Sequence, residues 1–193
     1  MGRHLKFDRE KGVEQAMYHF WQHGYYNSTI SHLSRAMGIT RSSFYNTFGS
    51  REALFLEAID CYQAMAPDAI LREDVSPDTV SGRIRQVILD VCSTRTRTGM
   101  SGCLIVNSIA ELAGKGDEHS DLLNTMVDSA QRRYEQLIEQ AVDAKEIEAV
   151  EDVTTLSGLL VSYVAGLNLM TKVVCDETKL WRQAQLFLDR IGL

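Results

Sequence analysis

Proline is nearly missing from this chain, with two in 193 residues, and the thirteen glycines are scattered. That leaves little room for long disorder or for a many-turned all-β fold. No C-x-x-C pair occurs among the four cysteines (Cys61, Cys92, Cys103, Cys175), and no Cys/His spacing suits zinc. A glycine-rich phosphate loop, an internal repeat and a low-complexity tract are absent too. The opening GRHLKFDREKG is charged rather than apolar, so no export signal is expected and the thiols are read as reduced in the cytoplasm. One uncharged run of 19 residues, 153–171, approaches membrane-spanning length. Its Thr, Ser, Gly and Asn content favours a buried interface helix over a lipid span, and no membrane partner is expected.

The overall balance of −6 hides a division. Residues 1–51 carry seven basic against three acidic side chains, a balance of +4, and four of the five histidines. A basic head on an acidic body points to a polyanion as the partner of the head.

Apolar residues recur at helical spacing almost throughout, and no useful strand alternation appears. Val13, Ala16, Met17, Phe20 and Trp21 line a first helix over 9–23, stopped by Gly24. Ser28 or Thr29 caps a short second helix with Ile30, Leu33, Ala36 and Met37 inside, and Gly38 turns the chain. Thr40 caps a third helix, RSSFYNTF, with Phe44 and Phe48 inward; Ser50 caps a fourth, with Leu54, Phe55, Ala58, Ile59 and Tyr62 inward. Ser76–Pro77 reads as the next helix start, and STRTRTGMSG as a polar break. A helix of about a dozen residues follows from Cys103, then a long amphipathic one over 121–144, then two more over about 152–174 and 177–191. The expectation is an all-α chain of about nine helices. A helix-turn-helix head, 1–62, precedes a ligand-sensing and dimerisation bundle, 63–193.

Two short helices, 29–37 and 41–48, joined by a glycine-containing turn fit a helix-turn-helix. The second helix of that motif enters the major groove and its first residues reach base edges. Its outward side chains here are Arg41, Ser42, Ser43, Tyr45, Asn46 and Thr47. Arginine can bridge guanine O6 and N7, and small hydroxyls allow close approach. Thr29 and Thr40 stand at helix N-termini, which favour phosphate.

The stretch YYNSTISHLSRAMGITRSSFYNTFGSREALFLEAI, with Gly24-Tyr25, Thr29, Gly38-Ile39, Phe44-Tyr45, Phe48 and Arg51-Glu52-x-Leu54, resembles the DNA-binding head of the TetR family. The resemblance implies phosphate contacts at Thr29, Tyr45 and Arg51. It implies base reading by Arg41, Ser42 and Ser43, with Asn46 serving either role; Tyr45 can equally be a packing residue. It further implies a homodimer through the last two helices, a palindromic operator and release by a small-molecule effector. The stripe Gly158, Ser162, Gly166 and the face Leu180, Ala184, Phe187, Leu188, Ile191 are the dimer-forming candidates. Their alternative is closure onto the chain's own core.

MSGCLIVNSIAEL further resembles a subgroup whose members sense electrophiles through a cysteine, which makes Cys103 the sensing thiol. A helix N-terminus favours thiolate. Lys172 could stabilise it or simply snorkel, and Asn107 and Glu111 lie one and two turns further on. Cys61, Cys92 and Cys175 are expected as small buried hydrophobes. The histidines His4, His19, His23 and His32 are expected at the surface with no metal role, since no ligand partners them at suitable spacing. No cofactor is expected. Catalysis at Cys103 would need a base, and His119 is the sole histidine of the body, in a polar setting without a triad. The remaining alternatives are an activator and a ligand-independent DNA-binding protein.

Overall fold

The computed structural model describes residues 7–72, 79–100, 102–114 and 118–193. His4 and the Ser76–Pro77 helix start lie outside them. The described residues form nine α-helices and one 3-10 turn, and no strand occurs among them. The chain divides into two compact units, Met1–Ala66 and Pro67–Leu193.

The first unit contains α1 (Arg9–His23), α2 (Ile30–Ala36), α3 (Arg41–Phe48) and α4 (Arg51–Met65). Each starts at a side-chain cap: Asp8, Thr29, Thr40 and Ser50 accept from the N–H three residues on. That satisfies donors which a helix leaves unpaired at its start. The core is aromatic. Phe20 meets Phe55 and Tyr25, and Trp21 meets Tyr62 edge-on at 4.9 Å. Leu33, Phe44, Leu54, Phe55, Ala58 and Ile59 are fully buried. α1 crosses α4 here, and an Arg9–Glu57 ion pair closes the edge of that contact.

The second unit opens with a 3-10 turn (Pro67–Arg72) and continues through α5 (Val80–Thr98), α6 (Leu104–Leu112), α7 (Glu118–Asp143), α8 (Val153–Met170) and α9 (Glu177–Arg190). The start of α5 is capped from two directions. Glu146 accepts from the N–H groups of Val80 and Ser81, and Thr79 Oγ1 accepts from Gly82. Burial works against the Glu146 carboxylate, but these N–H bonds and the Ser81 hydroxyl overcome it and hold its pKa below the ordinary glutamate value.

The expected break at STRTRTGMSG comes later than predicted: α5 runs on to Thr98. Ser93 and Thr94 donate their hydroxyls to Asp90 O, and Thr98 donates to Thr94 O. Hydroxyls turned back onto helix carbonyls let a polar stretch stay helical. Gly99, at φ 71°, then ends it. α6 is also shorter than expected, nine residues with Cys103 as its N-cap.

Ile84, Val87, Ile88 and Val91 of α5, Tyr134, Leu137 and Ile138 of α7, Leu160 and Leu167 of α8, and Leu180, Ala184 and Leu188 of α9 form one buried cluster. Most of the expected α9 face is therefore spent on this chain's own core. Arg85 pins α9 to α5 through Asp189 and the Leu193 carbonyl. The small-residue stripe of α8 is likewise divided. A side chain at Gly158 would meet Gln131 of α7 at 3.7 Å, whereas Gly166 has open space and Ser162 is exposed. α8 is long and apolar enough, by length and composition, to cross a membrane, but just 22% of that stretch is buried within the chain.

Candidate nucleic-acid interface and sensor region

The helix-turn-helix is built by its caps and its turn. α2 is C-capped by Met37, and Gly38 takes φ 66°, a left-handed conformation natural to glycine. Ile39 N–H then donates to Ser34 O, so the turn closes on the last carbonyls of α2. Thr40 caps α3 through Ser43 N–H at 3.1 Å, and its hydroxyl also lies 3.0 Å from the Ser43 hydroxyl.

α3 has two unlike sides. Phe44 and Phe48 are buried with ring centroids 5.6 Å apart. Arg41, Ser42, Ser43, Tyr45 and Asn46 are exposed, Tyr45 by 53%. Thr29 and Thr40, the caps of α2 and α3, are exposed as well. Tyr45 keeps its ring edge-on to Phe44 at 5.8 Å, so packing fixes the ring while its end remains open. A polar row on a rigid apolar underside can hydrogen-bond base edges and phosphates without ordering itself first.

Arg51 is placed differently from a simple solvated cation. Its guanidinium lies 4.1 Å over the Tyr25 ring, and Nε is 3.6 Å from Glu52. Tyr25 donates its hydroxyl to Glu52 at 3.0 Å. Burial pushes the Tyr25 pKa up to about 12, with Arg51 opposing. Burial also disfavours the Glu52 carboxylate, but its own backbone N–H, Tyr25, Ser50 and Arg51 outweigh that and leave its pKa lowered. The sequence shows Arg51 but not its lock with Tyr25 and Glu52, because α2 and α3 lie between Tyr25 and Arg51 in the chain.

A second unforeseen grouping lies beside α2. His19 and His23 stand on successive turns of α1 with ring centroids 4.5 Å apart, and His32 of α2 is 6.1 Å from His19. No group among the described residues has the arrangement of a metal site.

In the second unit Gly102, at φ 75°, donates its N–H to Thr171 Oγ1 at 3.1 Å. Cys103 follows, half-buried, with no side-chain cap bond of its own. Lys172 donates Nζ to Asn107 Oδ1 at 3.0 Å, and its methylenes pass beside Gly102. Cys103, Asn107 and Lys172 thus share one corner where the start of α6 meets the end of α8. Glu111 is half-buried two turns along α6.

The other thiols differ from the expectation at two places, since Cys61 is half-buried rather than buried and Cys175 lies outside. Cys92 is buried, its pKa pushed up to about 11 chiefly by burial, and burial also raises Cys61, with Glu14 adding to it. Cys175, expected inside, is exposed in the segment joining α8 to α9, where the chain turns between two helix caps.

Comparison with known proteins fixes the class. Residues 13–58 match the family profile "Bacterial regulatory proteins, tetR family", and residues 81–187 match "Tetracyclin repressor-like, C-terminal domain". The chain belongs to the TetR family of DNA-binding transcriptional regulators.

Among curated relatives it is 26% identical over 187 residues to the Escherichia coli HTH-type transcriptional repressor ComR, covering 95% of this chain and 88% of that one. It is 25% identical over 182 residues to the uncharacterized HTH-type transcriptional regulator YezE of Bacillus subtilis, covering 93% and 94%. Among solved structures, a cysteine mutant of the TetR-family regulator CifR in complex with a 26-base-pair operator duplex superposes with a TM-score of 0.84. Its identity is 23%, over 97% of this chain and 98% of that one. Reduced E. coli NemR gives 0.81 at 18% identity, over 96% and 97%. Both of these curated relatives carry the name of HTH-type transcriptional regulators.

Proposed function

We propose that this protein is a cytoplasmic homodimeric repressor that binds a palindromic operator through its first unit and releases it when its second unit meets an effector. The observation carrying the reading is the two-sided α3, with Phe44 and Phe48 buried and Arg41, Ser42, Ser43, Tyr45 and Asn46 exposed. Arg41 to Ser43 read bases, Thr29, Thr40 and Tyr45 hold phosphates, and Asn46 serves either. Arg51, held over the Tyr25 ring, contributes charge beside the backbone. The repressor sense is supported by the name of ComR.

The dimer is supported by what α8 and α9 leave uncovered. Leu159, Leu169, Met170, Val173 and Leu186 are 44–73% exposed, and Ser162 and Gly166 lie open on α8. Positions 159, 162, 166, 169, 170 and 173 recur at helical spacing on one side of α8 and its end, an apolar strip of the kind a second copy covers.

Within the second unit Cys103 is the sensing thiol. The start of α6 favours its thiolate, and the Lys172 ammonium bound to Asn107 lies at the same corner. The Cys103 thiolate would add to a quinone ring carbon or an aldehyde carbonyl carbon, the displaced π pair taking up a proton on oxygen, and the adduct would add bulk between α6 and the end of α8. Asn107 and Glu111 are the alternative contacts for a reversible ligand.

Selection of a duplex from random sequence, followed by release assays on wild type and Cys103→Ser in a Cys175→Ser background, tests both parts. Expected are a palindromic site, faster labelling at Cys103 than at Cys61, and quinone-driven release lost in Cys103→Ser. Failure to select any duplex removes the DNA-binding reading. Undiminished release in Cys103→Ser removes the thiol and leaves reversible binding.

A further inference from the structure

Two of the three histidines between α1 and α2, His19 and His32, have fixed proton positions. Ser28 donates its hydroxyl to Gly24 O at 2.5 Å, so the same oxygen must accept from His19 Nδ1, 3.0 Å away. Asn27 O is an acceptor without a proton, so His32 Nδ1 donates to it at 2.8 Å. Both rings therefore carry their neutral-state proton on Nδ1, which leaves Nε2 as the basic nitrogen. His23 lies against His19, and its own carbonyl is held by Asn27 Nδ2 at 3.1 Å.

Like charges on imidazoles this close repel one another. Burial lowers the pKa of His19, and the neighbouring His23 and His32 lower it further, against a small contribution from its own backbone bond. Among the described residues, those two imidazoles are the charged groups acting on it. No carboxylate among the described residues acts on His19. α2 brings Arg35 one turn beyond His32, α3 brings Arg41, and α4 brings Arg51 and Glu52, which close on Tyr25, and Glu57, which pairs with Arg9. Among the described residues, His19 has no counter-charge.

Duplex DNA can supply it. His32 is in the first turn of α2, with its N–H on Thr29, and the first helix of a helix-turn-helix crosses the sugar–phosphate backbone. Phosphates within about 10 Å act on an imidazole at ordinary ionic strength.

We propose that His19, His23 and His32 form a proton-linked element of the operator-binding head, which takes up protons when duplex binds and so tightens the operator complex on acidification. This rests on the DNA-binding reading above. The sign follows from linkage. The free head disfavours the charged form of His19, phosphates favour the charged form of an imidazole, and a complex that binds more protons than its parts gains affinity as pH falls. One proton taken up per complex steepens affinity by up to about tenfold per pH unit.

The test is operator affinity by fluorescence anisotropy from about pH 5.5 to 8 at fixed salt, over the range in which imidazole titrates. Wild type is compared with His23→Gln and with the triple variant His19→Asn/His23→Gln/His32→Asn. Asparagine keeps an N–H where Nδ1 stands, so the bonds to Ser28 and Asn27 O survive, and thermal melts check that each variant folds. Wild type is expected to bind roughly tenfold tighter at the acid end, with that gain reduced in His23→Gln and lost in the triple variant. Should the triple variant not fold, His23→Gln alone decides: an unreduced gain overturns the proposal. A flat wild-type profile, or a gain unchanged in the triple variant, also overturns it. A wild type that binds no duplex at any pH overturns the DNA-binding reading instead.

Discussion

Replacing Gly102 by alanine probes the corner where Cys103 stands. Gly102 has φ 75°, and an added Cβ would lie 3.1 Å from Asn107 Oδ1 and 3.3 Å from two methylenes of Lys172. Gly99, three residues earlier, has φ 71° with open space around it. Gly99→Ala therefore meets the backbone cost alone, about 1–2 kcal/mol for a left-handed residue with a Cβ. Gly102→Ala adds the crowding of Asn107 and Lys172. Lys172 is exposed and flexible, so this second contribution is below about 1 kcal/mol. A total near 2 kcal/mol lowers Tm by roughly 4–8 °C for a chain of this size. Calorimetry on both variants, each also in an Asn107→Ala background, separates the contributions. Removing Oδ1 should lessen the cost of Gly102→Ala by about 0.5 kcal/mol and leave that of Gly99→Ala unchanged. A Gly102→Ala as stable as wild type would refute the left-handed backbone before Cys103. Strict additivity with Asn107→Ala would refute the contact.

Arg41→Ala should lose about 1–3 kcal/mol of discrimination between the selected operator and its single-base variants, measured by competition binding. Arg51→Ala should instead weaken binding to all duplexes, flatten its salt dependence and lower the Tm, since it also frees Tyr25 and Glu52. Gly166→Leu with Leu159→Asp should shift sedimentation toward monomer, whereas Gly158→Leu should act through Gln131 and α7 and lower stability. Glu146→Gln should cost about 1 kcal/mol at neutral pH by weakening the cap on α5. Because the folded pKa of Glu146 is lowered, its contribution is full above the ordinary glutamate value and is lost as pH falls through the lowered one. Urea unfolding of wild type and variant should therefore converge under acid conditions.

The amino-acid sequence by itself determined the helices, the turn and the family, because these are local properties. Thr29, Thr40 and Ser50 cap helices through the N–H three residues on, Gly38 turns where a left-handed residue is needed, and Phe44 and Phe48 recur at helical spacing. The polar STRTRT stretch misled, since composition does not tell whether hydroxyls face water or the carbonyl four residues back. What only the tertiary structure decided was partnership across the chain. The α9 stripe of Leu180, Ala184 and Leu188 has the same period whether it meets a partner or its own core, and packing against α5 chose the core. Gly158 and Gly166 are identical in sequence terms, and α7 stands beside one of them. The stacking of Arg51 on Tyr25, the meeting of Lys172 with Asn107 beside Cys103 and the three-histidine cluster all join residues from separate helices or turns. Periodicity says which side of a helix is apolar; what lies against that side is settled when the helices pack.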